Sequence, residues 1–380
     1  MSGTSTPVED LKPLTSLRFV AATMIVLLHS LLYFKWPWLK HVPQTAVQGV
    51  SFFFVLSGFI LTHGYHARNF TYFEFMRARV ARLWPVHIAT LALVLFFLAP
   101  ASQAFNGPGF FSKWWSLAAN VTLLQSAVPY VAYYFGWNSV SWSISTEIFF
   151  YLMFPILIVN IRTTWHWKLI LALSAVFIIT TLAKIFSLPV SESPFDLTAV
   201  SILYANPVAR LFEFSLGMAA YIVWLRLSKT SLTTWQATLI EAVVLMIAIY
   251  WLTQGYLLLY PYLTTPILAF LYGQSGSCWL FAIVIITLAN GRGYIGKALS
   301  IRPLIWLGEI SFALYMVHQV TMKLIAWNFP SYKSPWIVYG ICLLGAAFLH
   351  HAVEKPLRKL LLRKRQTTLS STRSGLPVGI

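Results

Sequence analysis

The sequence predicts an all-α, polytopic transmembrane helical bundle of about ten spans with both termini cytosolic, and three observations carry that prediction. Of 380 residues, 58% are hydrophobic, 16% aromatic and only 10% charged, a balance foreign to soluble domains. Mean hydropathy is +0.71. Apolar runs long enough to cross a hydrocarbon core of about 30 Å recur from Leu14 to the pair His350 and His351, leaving no room for a soluble domain between them.

The first span, 14–33, follows a short polar stretch with no basic leader or small-residue cleavage site, so it is expected to stay as a signal anchor. It carries Arg18 and His29 among uncharged residues. Eleven helical steps bring His29 within roughly 20° of Arg18 around the axis and about 16 Å further along it. Ionisable groups inside a membrane are costly, which makes each a functional hypothesis. The second span, 46–65, is rich in phenylalanine, and the third, 83–100, follows a loop with Arg77, Arg79 and Arg82. A long external connection, 101–141, holds Trp114, Trp115, Tyr130, Tyr133, Tyr134 and Trp137 and is expected to form a partly amphipathic surface helix. Interface belts account for such aromatics better than sugar stacking does.

The fourth span, 142–160, brings Glu147, and the fifth is 168–187. The sixth, 206–225, places Arg210 and Glu213 at an i,i+3 spacing that lets them pair, and the seventh is 235–254. The eighth, 258–290, is too long for one straight helix and contains Pro261, Pro266, Gly273 and Gly276, so it is expected to break. The ninth, 304–325, carries His318, and the tenth is 335–353. Residues 10–355 thus form one membrane domain, and 356–380 a basic, disordered tail.

With the N-terminus in the cytosol, alternate loops hold Arg68, Arg77, Arg79 and Arg82; Arg162 and Lys168; Arg226 and Lys229; and Arg292, Lys297 and Arg302, then the basic tail. Only Lys35, Lys40, Lys113, Lys184, Lys323 and Lys333 fall near the other surface, as the positive-inside rule requires. Topology therefore explains the excess of 27 Lys and Arg over 10 Asp and Glu, and nucleic acid is not an expected partner. Cys278 and Cys342 form neither CxxC nor CxxH spacing, and HExxH, P-loop and GxSxG motifs do not occur, so neither a metal nor a bound cofactor is expected. The letters GRGYIG at 291–296 follow a membrane span, not a strand, and are not a dinucleotide site.

On this topology His29, Glu147, Arg210, Glu213 and His318 fall at similar depth in the outer leaflet, an arrangement made inexpensive only by a polar cavity. Arg18, Arg79 and Arg82 gather at the opposite, cytosolic end. A ligand with a polyanionic head and a thin reactive tail fits this polarity, and acyl-coenzyme A has that shape.

These residues stand in segments that together resemble the acyltransferase-3 family of membrane O-acyltransferases. LTSLRFVAATMIVLLHS is similar to the family's Arg-x10-His motif at Arg18 and His29, VSFFFVLSGFILT to its segment ending at Ser57, Gly58 and Phe59, and RARVARLWP to its Arg-x-x-Arg pattern at Arg79 and Arg82. SVSWSISTEIFFYLMFP resembles the Trp-Ser-x-Ser-x-Glu segment at Trp142, Ser143, Ser145 and Glu147. RLFEFSLG, LGEISFALYMVHQ and VEKPLRK match later elements at Arg210 to Gly217, at Ser311, Tyr315 and His318, and at Glu354 and Pro356. The resemblance implies an acyl-CoA co-substrate on the cytosolic side, a carbohydrate hydroxyl as acceptor across the bilayer, a required His29 and a bacterial inner membrane. Where many members carry a second acidic residue after the glutamate, this chain has Ile148.

The expected activity is transfer of an acyl group, acetyl by expectation, to a hydroxyl of an envelope or exported carbohydrate. His29 is either the general base or a transient acyl carrier. Glu147 either orients His29, binds acceptor hydroxyls or pairs with Arg210. Arg18, Arg79 and Arg82 are the donor-binding set, Arg79 and Arg82 with positive-inside anchoring as their alternative. Trp142, Ser143, Ser145, Arg210, Glu213 and His318 form an acceptor-side or structural cluster, with His318 not expected to be a base. The alternative function is a transporter or flippase of a lipid-linked saccharide, whose path the same charges would line; a scaffold for polysaccharide assembly is a third.

Overall fold

The computed structural model describes residues 11–34, 44–190, 193–255, 258, 273–329 and 334–363. Lys35, Lys40, Lys333, Pro261, Pro266 and the tail beyond residue 363 lie outside them. Among the described residues there is no strand, and helices of eight or more residues are α1 (Lys12–Ser30), α2 (Gly49–Tyr65), α3 (Tyr72–Phe97), α4 (Lys113–Val121), α5 (Trp142–Leu157), α6 (Ile161–Ile185), α7 (Pro207–Leu227), α8 (Thr234–Tyr250), α9 (Cys278–Ala289), α10 (Arg302–Asn328), α11 (Pro335–Phe348) and α12 (Lys355–Leu362). The chain is an all-α polytopic bundle, and among the described residues eight helical segments are long and apolar enough to span a bilayer. The eighth and ninth expected spans are not among those eight: the shorter apolar segment Gly273–Ala289, which contains α9, and α10.

Local chemistry moves several boundaries. Thr71 caps α3 by accepting from the Glu74 backbone N–H at 3.3 Å, so the helix begins eleven residues before the expected third span and absorbs the arginine loop. Arg79 and Arg82 therefore share one helical face. The last span does not stop near residue 353. It widens into a π-helical turn over Leu349–Glu354, where His350 Nδ1 lies 2.8 Å from Glu354 Oε2, and continues as α12. Residues 356–362, expected as disordered tail, are thus helical. Arg77 holds that helix's end by donating to the carbonyls of Leu361 and Arg363 at 2.7 and 2.9 Å.

Two close helix crossings position the centre of the bundle. A Cβ on Gly217 of α7 would meet the Val55 carbonyl of α2 at 1.9 Å, and one on Gly308 of α10 would meet the Thr15 carbonyl of α1 at 1.9 Å. Small residues let backbones approach in membranes, where packing drives helix association. Beyond the second crossing α1 and α10 run side by side in the same direction, which carries His29 and His318 to one level.

The connection between α3 and α5 folds inward. Tyr133, Tyr134, Trp137 and Asn138 are buried, while Trp114 and Trp115 on α4 remain exposed, as a surface helix requires. His87 of α3 donates to the Asn120 carbonyl at 2.8 Å, and Asn138 donates to Thr90 at 3.1 Å and to the Met316 carbonyl of α10 at 2.9 Å. Half of the expected aromatic belt is core instead, because polar side chains tie the sunken segment to its neighbours, His87 satisfying one of its carbonyls and Asn138 reaching α3 and α10.

Candidate active site

Two cavities lie back to back in the bundle. The inner one is narrow, about 60 Å³, and is lined by Arg18 of α1, Phe53 and Ser57 of α2, Arg79 and Arg82 of α3, Ser143, Glu147 and Tyr151 of α5, and Tyr315 of α10. The outer one is wider and is lined by His29, Trp142, Tyr204, Gln319, Lys323 and the segment Pro100–Asn106. Between them Ser143 Oγ and Tyr315 Oη share a hydrogen bond of 2.8 Å, and Tyr315 also donates to the Val140 carbonyl at 3.0 Å.

His29 lines the outer cavity with its ring half-buried. Its Nδ1 lies 2.9 Å from Nε2 of the fully buried His318, the ring planes 8° apart and the centroids 5.2 Å apart. His318 Nδ1 in turn faces the carbonyls of Tyr315 at 2.7 Å and Leu314 at 3.2 Å in its own helix. His318 was expected to be structural or to face the acceptor; it touches His29 directly. Equal depth was legible from the chain, whereas the pairing of α1 with α10 was not.

In the inner cavity Arg18, Arg79 and Arg82 form no salt bridge among the described residues. Arg79 rests over the rings of Phe75, Tyr65 and Tyr151 at 5.7 to 6.0 Å, with its buried Nε unpaired. Cations gathered around an opening with unused donors have the chemistry that binds phosphate groups.

Glu147 requires a correction. It stands with the arginines and not beside His29: its Oε1 accepts from Ser57 Oγ at 2.9 Å and Tyr151 Oη at 2.5 Å. The buried preceding segment makes α5 start below the outer surface, so five further residues carry Glu147 to the inner cavity. Nor does it pair with Arg210. Arg210 Nε lies 3.3 Å from Glu213 Oε2, and Arg210 donates to Ser275 at 2.6 Å while Ser51 bridges to Glu213 at 2.8 Å. Both charges are almost fully buried, with the guanidinium over Phe54 and Trp142 at 5.3 and 5.8 Å. The ion pair, with Ser51, Phe54 and Trp142 around it, ties α2, α5 and α7 together, although Arg210 Nε and Glu213 Oε2 make no hydrogen bond among the described residues.

The Trp142–Glu147 segment divides by face. Ser143 and Glu147, one turn apart, point to the inner cavity. Ser145 points away, donating to the Leu123 carbonyl at 2.7 Å and accepting from Ser126 Oγ at 2.7 Å, so it anchors the inward-folded connection. Among the described residues no group of three His, Cys, Asp or Glu side chains is placed to hold a metal ion.

Comparison with known proteins identifies the scaffold. Residues 13–349 match the family model described as an acyltransferase domain. The chain is 27% identical over 352 residues to a Streptomyces mycarofaciens protein named acyltransferase MdmB, covering 86% of this chain and 84% of that one. It is 27% identical over 338 residues to the putative peptidoglycan O-acetyltransferase YrhL of Bacillus subtilis, covering 82% and 50%. With the peptidoglycan O-acetyltransferase OatA of Listeria monocytogenes it shares 26% over 369 residues, covering 90% and 55%. The chain thus spans most of the first relative and about half the length of the other two. No solved structure matches it.

Proposed function

The chain belongs to the acyltransferase family whose model it matches, and from that premise we propose that it moves an acyl group, acetyl by expectation, from cytosolic acyl-CoA to a carbohydrate hydroxyl on the far side of a bacterial inner membrane. The observation that carries this reading is the pair of cavities: an arginine-lined chamber on one side of the Ser143–Tyr315 partition and His29 in a wide chamber on the other. Phosphates of the donor sit among Arg18, Arg79 and Arg82. The thin pantetheine arm then points its thioester toward the partition, while a bulky hydroxyl acceptor occupies the outer chamber.

At the partition a ring nitrogen of His29 takes the proton of the acceptor hydroxyl as that oxygen attacks the thioester carbonyl. The carbon–sulfur bond breaks, and the departing thiolate recovers the proton from the imidazolium. In the rival sequence the imidazole attacks the thioester carbonyl and the thiolate departs; the acceptor hydroxyl then displaces the imidazole from the acyl carbon, and its proton balances the one taken up by the thiolate. Peptidoglycan, named for YrhL and OatA, is one acceptor class this geometry suits.

The test is transfer from labelled acetyl-CoA to membrane glycan by wild type and His29→Ala at matched, correctly inserted levels. Loss of a general base is expected to slow transfer by roughly 10²- to 10⁴-fold. Equal labelling by the two proteins, above a protein-free control, would sink the role given to His29.

A further inference from the structure

We infer that His318 is a positioning residue that holds His29 in the tautomer protonated on Nδ1, leaving Nε2 as the reacting nitrogen. The inference rests on the acyl-transfer reading and adds the atom at which the chemistry occurs. Its basis is a chain of hydrogen bonds with one consistent direction. The carbonyls of Tyr315 and Leu314 can only accept, so His318 Nδ1 carries a hydrogen. His318 is fully buried, and neither histidine has a carboxylate within ion-pairing distance among the described residues, so an added positive charge has no partner there. With His318 neutral, its Nε2 is a lone pair. The 2.9 Å contact then requires His29 Nδ1 to be the donor.

The remaining nitrogen, His29 Nε2, has no protein hydrogen bond among the described residues and belongs to a ring that lines the outer cavity. It is the basic nitrogen available to an incoming hydroxyl or acyl carbon. When Nε2 takes up a proton, the Nδ1 hydrogen stays where it is and its bond to His318 becomes charge-assisted, which stabilises the imidazolium as it forms. Nothing is consumed: the proton returns to the leaving thiolate. His318 thus fills the place a carboxylate holds in a hydrolase triad, but as a neutral acceptor fixed by its own helix backbone.

The direction of the chain separates two conservative substitutions. A glutamine amide oxygen can reach the position of His318 Nε2 and accept from His29, whereas the shorter asparagine falls near Nδ1 and cannot. Acetyl transfer is therefore compared for wild type, His318→Gln, His318→Asn, His318→Ala and His29→Ala, each at matched folded level, with kcat and the KM for acetyl-CoA measured separately. The expected result is a kcat lower by roughly a hundredfold in His318→Ala and His318→Asn, recovery of most of it in His318→Gln, and an unchanged donor KM in all three. Equal damage in Gln and Asn would mean packing alone and overturn the inference, as would full activity in His318→Ala. Full activity in His29→Ala overturns the acyl-transfer role of His29 itself, and the inference with it. Should His318→Ala fail to fold, the contrast between Gln and Asn still decides.

Discussion

Two of the three inner arginines, Arg79 and Arg82, differ in what surrounds them. Arg79 is braced by three aromatic rings and keeps only one unpaired buried nitrogen. Arg82, one turn along the same face of α3, makes no ion pair among the described residues and lines the same cavity. A charged hydrogen bond contributes about 1.5–3 kcal/mol. Arg82→Ala is therefore expected to raise the acyl-CoA concentration at half saturation by roughly ten- to a hundredfold with kcat and membrane insertion little changed, measured by donor titration of the purified protein. An unchanged half-saturation would return Arg82 to the role of a topological anchor. Residue identity alone made these side chains visible, because a charge within or beside an apolar run stands out. What it concealed was orientation: Ser143 and Ser145 look equivalent in a Trp-Ser-x-Ser-x-Glu segment, yet two helical steps turn one toward the inner cavity and the other into the packed connection.

At the scale of elements, apolar length and the turn signals between runs were enough to give the helices, because in a bilayer every backbone group must be satisfied within its own segment. Which helix packs on which was not legible. The two crossings at Gly217 and Gly308 decide it, and a glycine in an apolar helix announces a close approach without naming its partner. Glu147 shows the consequence. It lies deeper than a position five residues into α5 implies, because the connection before the helix is buried and lowers its start. The crossing itself makes a sharp prediction. In Gly217→Ala the new methyl meets the Val55 carbonyl at 1.9 Å, so α2 and α7 must separate. Overpacking of this kind costs about 1–3 kcal/mol, and the melting temperature in detergent is expected to fall by several degrees. Gly340→Ala on α11, where a Cβ meets no atom within 4 Å, provides the control. Equal melting of the two variants would refute the crossing as described.

For the whole molecule, the ties at one end of the bundle agree with an even number of crossings. Ser16 reaches the Leu299 carbonyl at 2.5 Å, Arg292 reaches those of Ser228 and Thr230 at 2.5 Å, and Arg77 holds the end of α12. The basic loops lie at this end, as charge asymmetry in the sequence required. In a background lacking Cys278 and Cys342, a cysteine replacing Lys229 is expected to react with an impermeant maleimide only in inside-out vesicles. One replacing Phe110, on the opposite connection, should react only in right-side-out cells. The reverse pattern would invert the orientation and detach the arginine cavity from the cytosolic donor.

The partition between the cavities has an electrical consequence. A bacterial membrane stores energy as a voltage, and each charge crossing it dissipates about 2.3 kcal/mol per 100 mV. Two water-filled chambers on one axis would become a wire for protons if they met. Ser143 and Tyr315, bonded to each other beside Phe53, line the inner chamber, and the two chambers share no lining residue. A neutral acyl group can be handed across such a wall while the membrane stays insulated.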